Sequence, residues 1–238
     1  MLNYLKAEFY RIFTKKGFYL FFGVLLGLYL LLAFITSGNI GGTALESQVQ
    51  NLSLFVTLIG GGYLFSVVYN DDLSAKSLPA VIGFGNNRST VIIVKTLLAA
   101  LLNLLMYGGF LLVIHLTFMV LGLSFGWAES FRVASLGAAA VLSLIGYNVL
   151  AGVVAYGTQK ATLSIVAFVL LTTGVISSLI NLGLGFLHLD ALSSYMLGPL
   201  GTRLVFQPSV SALFSYLIYI GIFLLASLLA FSKKDLEF

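Results

Sequence analysis

Two histidines, eight carboxylate side chains and no cysteine set the chemical repertoire of this 238-residue chain. Without cysteine there is no disulfide and no thiolate metal site, and two histidines cannot assemble a zinc cluster. His188 and Asp190 stand near Ser193 and Ser194, but no Gly-x-Ser-x-Gly turn is present to expose a serine as nucleophile. Gly83-Phe84-Gly85-Asn86-Asn87-Arg88 carries two glycines of a dinucleotide-binding turn, with arginine in place of the third and no βαβ unit around it. No Gly-x-x-x-x-Gly-Lys-Ser/Thr occurs, so the chain has no phosphate loop of that kind. His115 is the one ionisable group inside the apolar runs, and it has no carboxylate partner there for a proton relay. The sequons at Asn51 and Asn87 carry no information, since one borders an apolar run and the other lies in a polar loop. The expectation is no catalytic residue, no metal and no cofactor bound by this chain.

The elements that carry these residues are dictated by composition. Hydrophobic residues make up 60% of the chain and charged residues 8%, against about a quarter charged in soluble domains. Six apolar stretches approach the roughly 20 residues needed to cross a bilayer, at about 17–36, 49–69, 96–123, 133–158, 161–187 and 210–231. Short connections leave no room for a soluble catalytic domain. The expected fold is an all-α membrane protein, a single transmembrane domain over residues 1–238. The first run follows Lys15 and Lys16, yet it is too long for a signal-peptide core and has no small-x-small cleavage site, so it reads as a retained span.

Before it, residues 1–16 form an amphipathic helix. Leu2, Leu5, Phe9, Ile12 and Phe13 share one face, with Lys6 and Lys16 flanking and Glu8, Arg11 and Lys15 opposite. That pattern predicts a helix lying in the headgroup plane. The net charge of +4 would suggest nucleic acid only if lysines gathered on a soluble face. They sort by membrane side instead. Lys6, Arg11, Lys15, Lys16, Lys76, Arg88, Lys95, Lys160, Lys233 and Lys234 fall on one side, with Arg132 and Arg203 on the other. The positive-inside rule makes the first side cytoplasmic, with both termini inside and no nucleic-acid partner.

The longest polar gap of the first half is residues 70–95. Asp71 and Asp72 open it, and Lys76 follows. Leu78, Val81, Ile82 and Phe84 form an apolar cluster, Gly83 and Gly85 loosen the backbone, and Arg88 starts the next helix. An amphipathic segment held between two spans is a handle on which a soluble partner can push. In the order acidic residue, basic residue, short apolar helix, Gly, Arg, then Lys, this loop resembles the first cytoplasmic loop of the type-2 ABC exporter permeases. Asp71 or Asp72, Lys76, Leu78, Gly83, Arg88 and Lys95 carry the match. The opening segment from Lys6-Ala7-Glu8-Phe9 to Lys15-Lys16 also resembles that family's first helix, and the bacterial peptide- or toxin-export and bacteriocin-immunity branch is the nearest in kind.

The resemblance implies a homodimeric permease in a bacterial plasma membrane, driven by two copies of a separate cytosolic ABC ATPase that holds the ATP and Mg. It implies that Asp71, Asp72, Lys76, Leu78, Val81, Phe84 and Arg88 contact the ATPase, together with Gln159 and Lys160 of the short second cytoplasmic turn. Energy must come from outside the chain, because the spans lack the charged groups an ion-coupled carrier uses. Leu-, Phe- and Tyr-rich spans suit an amphipathic or hydrophobic cargo such as a toxin or antimicrobial peptide.

Within the spans, Gly60-Gly61-Gly62 before Tyr63 predicts tight packing, or a hinge. Gly23-x-x-x-Gly27 permits close helix approach, though such spacings arise often by chance. The uncharged run from Thr96 to Trp127 is too long for a straight crossing, and Trp127 marks the outer boundary, where Glu129 and Arg132 cap the turn. Thr172, Thr173, Ser177, Ser178 and Asn181 give span five a polar stripe that bonds back to its own helix, or faces a partner or a path. Tyr63, His115, Asn148, Ser177 and Asn181 are the candidate path residues, with His115 expected to bond a neighbouring helix. Residues 188–209 stay half apolar and contain Pro199 and Pro208. They predict short re-entrant or interfacial helices outside, broken at these two prolines, and the resemblance implies an extracellular gate with Tyr195, Pro199 and Arg203. An ion-coupled carrier and a non-transporting scaffold or sensor are the alternative readings.

Overall fold

The computed structural model describes residues 1–37, 56–120, 126–206 and 209–233. The outer loop expected at 37–48, the start of span two, the end of span three, Gln207, Pro208 and the tail from Lys234 lie outside the described residues. Among the described residues every regular element is helical. In chain order these are α1 (Leu2–Phe13), α2 (Lys16–Ser37), α3 (Gly61–Phe65), α4 (Asp71–Ser74), α5 (Leu78–Gly83), α6 (Arg88–Val120) and α7 (Trp127–Thr158). Then follow α8 (Ala161–Thr172), α9 (Val175–Phe186), α10 (Asp190–Ser193), α11 (Leu197–Phe206) and α12 (Val210–Lys233). Helix α3 is flanked by π-helical turns at Val56–Gly60 and Ser66–Asn70. Among the described residues three helices are long and apolar enough to cross a membrane, or up to five if each bent pair is one span.

Helix α7 is the hub, packed against α6, α8, α11 and α12. Buried Gly137, Ala140, Gly146, Ala151, Gly152 and Ala155 let its neighbours approach closely. A Cβ on Gly146 would stand 2.4 Å from the Tyr216 hydroxyl oxygen of α12, so only glycine fits there. Its start is capped by Glu129, which accepts the Gly126 N–H at 3.2 Å. Its end turns at Gln159, whose φ of 55° is left-handed. The uncharged run ahead of it begins inside α6, a continuous helix of 33 residues, about 50 Å long against about 30 Å of hydrocarbon. Residues 88–95 of the expected loop are therefore the first turns of α6.

The triple glycine serves packing. Cβ atoms on Gly60 and Gly61 would meet Met106 Sδ of α6 at 2.4 Å and Leu144 Cδ1 of α7 at 2.6 Å. One on Gly62 would touch Phe168 of α8 at 3.6 Å, so three successive residues receive three different helices. Gly23 and Gly27, by contrast, have nothing within 4 Å of a built Cβ.

Two expectations need correction. Span five is not one continuous helix. Gly174 takes φ +76°, and α8 and α9 meet there at 64°. Pro199 does not break the outer segment either, since it lies in the first turn of α11, where its missing N–H costs nothing. Helix α11 is seated in the fold. Leu197, Leu200 and Leu204 pack with Ala212 and Tyr216, Ser143 Oγ donates to the Gly201 carbonyl at 3.3 Å, and Tyr216 donates to the Ser143 carbonyl at 2.7 Å.

Candidate functional site

Helix α1 keeps Leu2, Lys6 and Tyr10 exposed and turns its other side into the protein. Ile12 is buried, and Tyr4, Leu5, Phe9 and Phe13 pack against the core. Its polar side is also turned into the protein. Glu8 is 5% exposed and meets Lys95 of α6, which is 1% exposed. Lys95 Nζ donates to Glu8 Oε2 at 3.1 Å and pairs closely with Asp72 Oδ2. Arg11 donates from Nη2 and Nε to Glu8 Oε2 at 2.7 and 3.1 Å, and from Nη2 to the Val67 carbonyl at 3.3 Å. Its Nη1 stands 3.5 Å from Asp72 Oδ1 and 3.7 Å from Asp71 Oδ2, while Lys15 pairs with Asp71. Ser77 donates to Asp72 Oδ1 at 3.1 Å and closes the shell.

Three carboxylates and three cations thus form one network joining α1, α4 and α6. Its formal charge is balanced, which is the condition for placing ions away from water. Burial opposes the Arg11 charge, but Asp72 and Glu8 beside it outweigh that, and its pKa stands above the ordinary guanidinium value. No motif marked this cluster in the sequence. The one available clue was the pairing of an acidic opening at Asp71-Asp72 with an isolated Lys95 in an apolar run.

The cluster reassigns several expected loop contacts. Asp72 and Leu78 are buried, so they fix the loop rather than form its surface. Val81 is partly buried against the core. Phe84 is 88% exposed at the end of α5, beside Gly85 at φ +87°. The apolar cluster of the sequence is therefore split, with Leu78 as an anchor and Phe84 as a free knob. Lys76 is exposed, at φ 49°. Arg88 points back to the last helix. Its Nη1 donates to the Phe231 and Ser232 carbonyls at 2.6 and 3.2 Å, and its guanidinium lies 5.5 Å from the Phe231 ring centroid. A cation there also meets the negative end of the α12 dipole. Tyr156, near the Gln159-Lys160 turn, packs on Phe231 with centroids 5.0 Å apart, and Lys160 is exposed. Helix α1, the loop, this turn and the end of α12 all gather at one end of the bundle.

The expected path residues sit in different surroundings. Tyr63 stacks on Phe21 with centroids 3.8 Å apart. His115 lies half-buried on α6, with Nδ1 2.9 Å from the Leu111 carbonyl of its own helix. Asn148 is buried in α7, and neither its oxygen nor its nitrogen has a partner among the described residues. Asn103 of α6 is in the same state. Ser177 sits against Gly198, joining α9 to α11, and Asn181 lines an open groove along α9. In the outer segment Tyr195 and Arg203 are exposed, and Pro199 is half-buried.

Among the described residues the protein is all-helical, with three to five helices long and apolar enough to cross a membrane and a loop clamped by buried ions at one end. Comparison with protein-family models and with curated proteins finds no match for this chain.

Proposed function

We propose that the chain is the permease subunit of an ATP-driven exporter of the type-2 ABC class, in a bacterial plasma membrane. Two copies pair, and a separate ATPase subunit binding ATP and Mg supplies the energy. The cargo is an amphipathic or hydrophobic molecule, a toxin or antimicrobial peptide being the class that suits the spans. One observation carries this reading. Phe84 stands free on a short loop whose base is bound to α1 and α6 by the ion cluster and whose end is bound to α12 by Arg88. A push on Phe84 is therefore delivered to three helices at once.

The gathering of the first helix, the loop and the end of α12 at one end supports an even number of crossings. Six passes, with both termini cytoplasmic, follow if the segment around α3 and the bent α8–α9 pair each cross. Helices α10 and α11 then form the outer gate segment.

The test is reconstitution of the chain with an ABC ATPase that co-purifies with it. Phe84→Ala should weaken ATPase binding by about 2 kcal/mol, roughly 30-fold, or uncouple hydrolysis from export. Failure of any ATPase to associate would overturn the reading in favour of a scaffold or a carrier. So would coupled export unchanged by Phe84→Ala.

A further inference from the structure

Asn103 of α6 and Asn148 of α7 are 0% and 1% exposed, and in each both the oxygen and the nitrogen of the carboxamide lack a partner among the described residues. Contacts along the segment of residues 56–70 place the two side chains at one level. The segment runs antiparallel to α6, since Thr57 bonds Tyr107 at 2.7 Å, Met106 fills the space at Gly60, and Asp72 pairs with Lys95. Asn103 lies three and four residues before Met106 and Tyr107, so it shares their face and stands level with Tyr63 and Leu64. The same segment runs parallel to α7, with Leu144 at Gly61 and Tyr69 against Gly152. Asn148 is four residues from both Leu144 and Gly152, hence on that face, and stands level with Phe65.

The two asparagines therefore flank the Tyr63–Phe65 turn from two helices. Side chains lean toward the N-terminus of their own helix, and α6 and α7 run in opposite directions, so the two carboxamides lean toward one depth. The turn itself gives them nothing to bond. Leu64 and Phe65 are apolar and buried, and the Tyr63 ring is stacked on Phe21. An unpaired carboxamide in a closed interior is costly. The chain shuts both groups off from lipid and solvent, so no cargo, lipid or second protein reaches them while the fold is closed. The occupant must be small enough to be enclosed and must offer donor and acceptor at once. Water does both, and a buried water bonds about three polar groups. A cation would meet the two oxygens and leave both amide N–H groups unpaired.

We infer that Asn103 and Asn148 form an internal water site, in which bound water bridges the two carboxamides beside the Tyr63–Phe65 turn. The site lies where the helical register of the segment changes, with π-helical turns at Val56–Gly60 and Ser66–Asn70 on either side of it. The segment is thus held by close packing at Gly60 and Gly61, by ion pairing at Asp72, and by water between them. This site is independent of the exporter reading.

Brief X-ray radiolysis turns bound water into hydroxyl radicals that oxidise the side chains beside it. With the full chain in lipid nanodiscs, Phe65 should take up oxygen although it is buried. Asn103→Leu/Asn148→Leu should reduce that uptake severalfold and leave uptake at the exposed Phe84 unchanged. Asn103→Ser/Asn148→Ser, which keeps a hydroxyl at each position and adds room, should retain it. The parent protein decides the matter even if the leucine pair fails to fold. Phe65 unlabelled at a dose that labels Phe84 would overturn the site and point to a dry, direct Asn103–Asn148 bond. Equal uptake at Phe65 in the parent and in a folded leucine pair would overturn it as well.

Discussion

Lys95 and Glu8, 87 positions apart in sequence, meet at 3.1 Å with both side chains withdrawn from solvent. Glu8 belongs to the opening helix and Lys95 to the second turn of α6, so this contact makes the first helix and the loop one body. Asp72 completes the arrangement from the loop side. The first prediction follows from it. Removing one partner of a buried ion pair leaves the other uncompensated, at a cost of about 3–5 kcal/mol. Lys95→Met should lower the thermal stability of the purified protein accordingly, whereas Lys160→Met, at an exposed position, should leave it nearly unchanged. The charge-balanced double variant Asp72→Asn/Lys95→Met, which leaves Glu8 to Arg11 and Asp71 to Lys15, should regain most of the loss. A Lys95→Met protein as stable as the parent would show that the cluster does not hold the loop.

Leu78 and Phe84 lie six residues apart on the same loop and should behave in opposite ways. Leu78→Ala opens a cavity beside the core and should destabilise the protein by about 2–5 kcal/mol. Phe84→Ala removes a side chain that touches little, and should stay within about 0.5 kcal/mol of the parent. Denaturation of both variants in one detergent distinguishes them. Comparable losses would mean that Phe84 is a packing residue and not a free knob.

Gly146 is the tightest approach of α7 to α12. A Cβ there meets the Tyr216 ring and hydroxyl at 2.4 to 2.7 Å, and a ring cannot yield as an aliphatic tip does. Gly146→Ala should cost about 1–3 kcal/mol, and Gly146→Ala/Tyr216→Leu should show a smaller penalty than the two single changes summed. Gly23→Ala, with nothing within 4 Å, serves as the neutral control. Equal stability of the Gly146 and Gly23 variants would refute the contact.

Sidedness gives the fourth prediction. On the proposed topology, a membrane-impermeant thiol reagent applied to intact cells should modify Tyr195→Cys and spare Lys76→Cys, both at exposed positions. Labelling in the reverse order would invert the topology.

Much of the helical layout was legible in the chain itself. Bilayer thickness demands runs of about 20 apolar residues, and any run of that length must satisfy its backbone internally. Composition alone therefore announced helices around 96–123, 133–158 and 210–231, although the second of them begins at Trp127, in the stretch read as an outer turn. Punctuation was harder to read. Gly174 looks like any other glycine of a membrane segment, and only its φ of +76° turns an apparent span into two helices. Pro199 looks like a breaker, yet the first turn of a helix accepts proline.

The sequence by itself determined which stretches are helical and apolar, that the polar loop around Asp71 to Arg88 stands apart, and that the chain carries no cysteine chemistry. Only the tertiary structure decided which way the polar side chains of these elements face. Helical periodicity gives a face but not a neighbour. Glu8 and Arg11 occupy a side of α1 that suits water equally well, until Asp72 and Lys95 arrive from 64 and 87 positions away to neutralise Glu8 and its neighbour. Likewise Leu78 and Phe84 share one apolar cluster in the sequence, and the core had room for the first alone. Charge balance among distant residues and the filling of a shared interior are properties of the assembled chain, because each depends on groups that one local stretch does not contain.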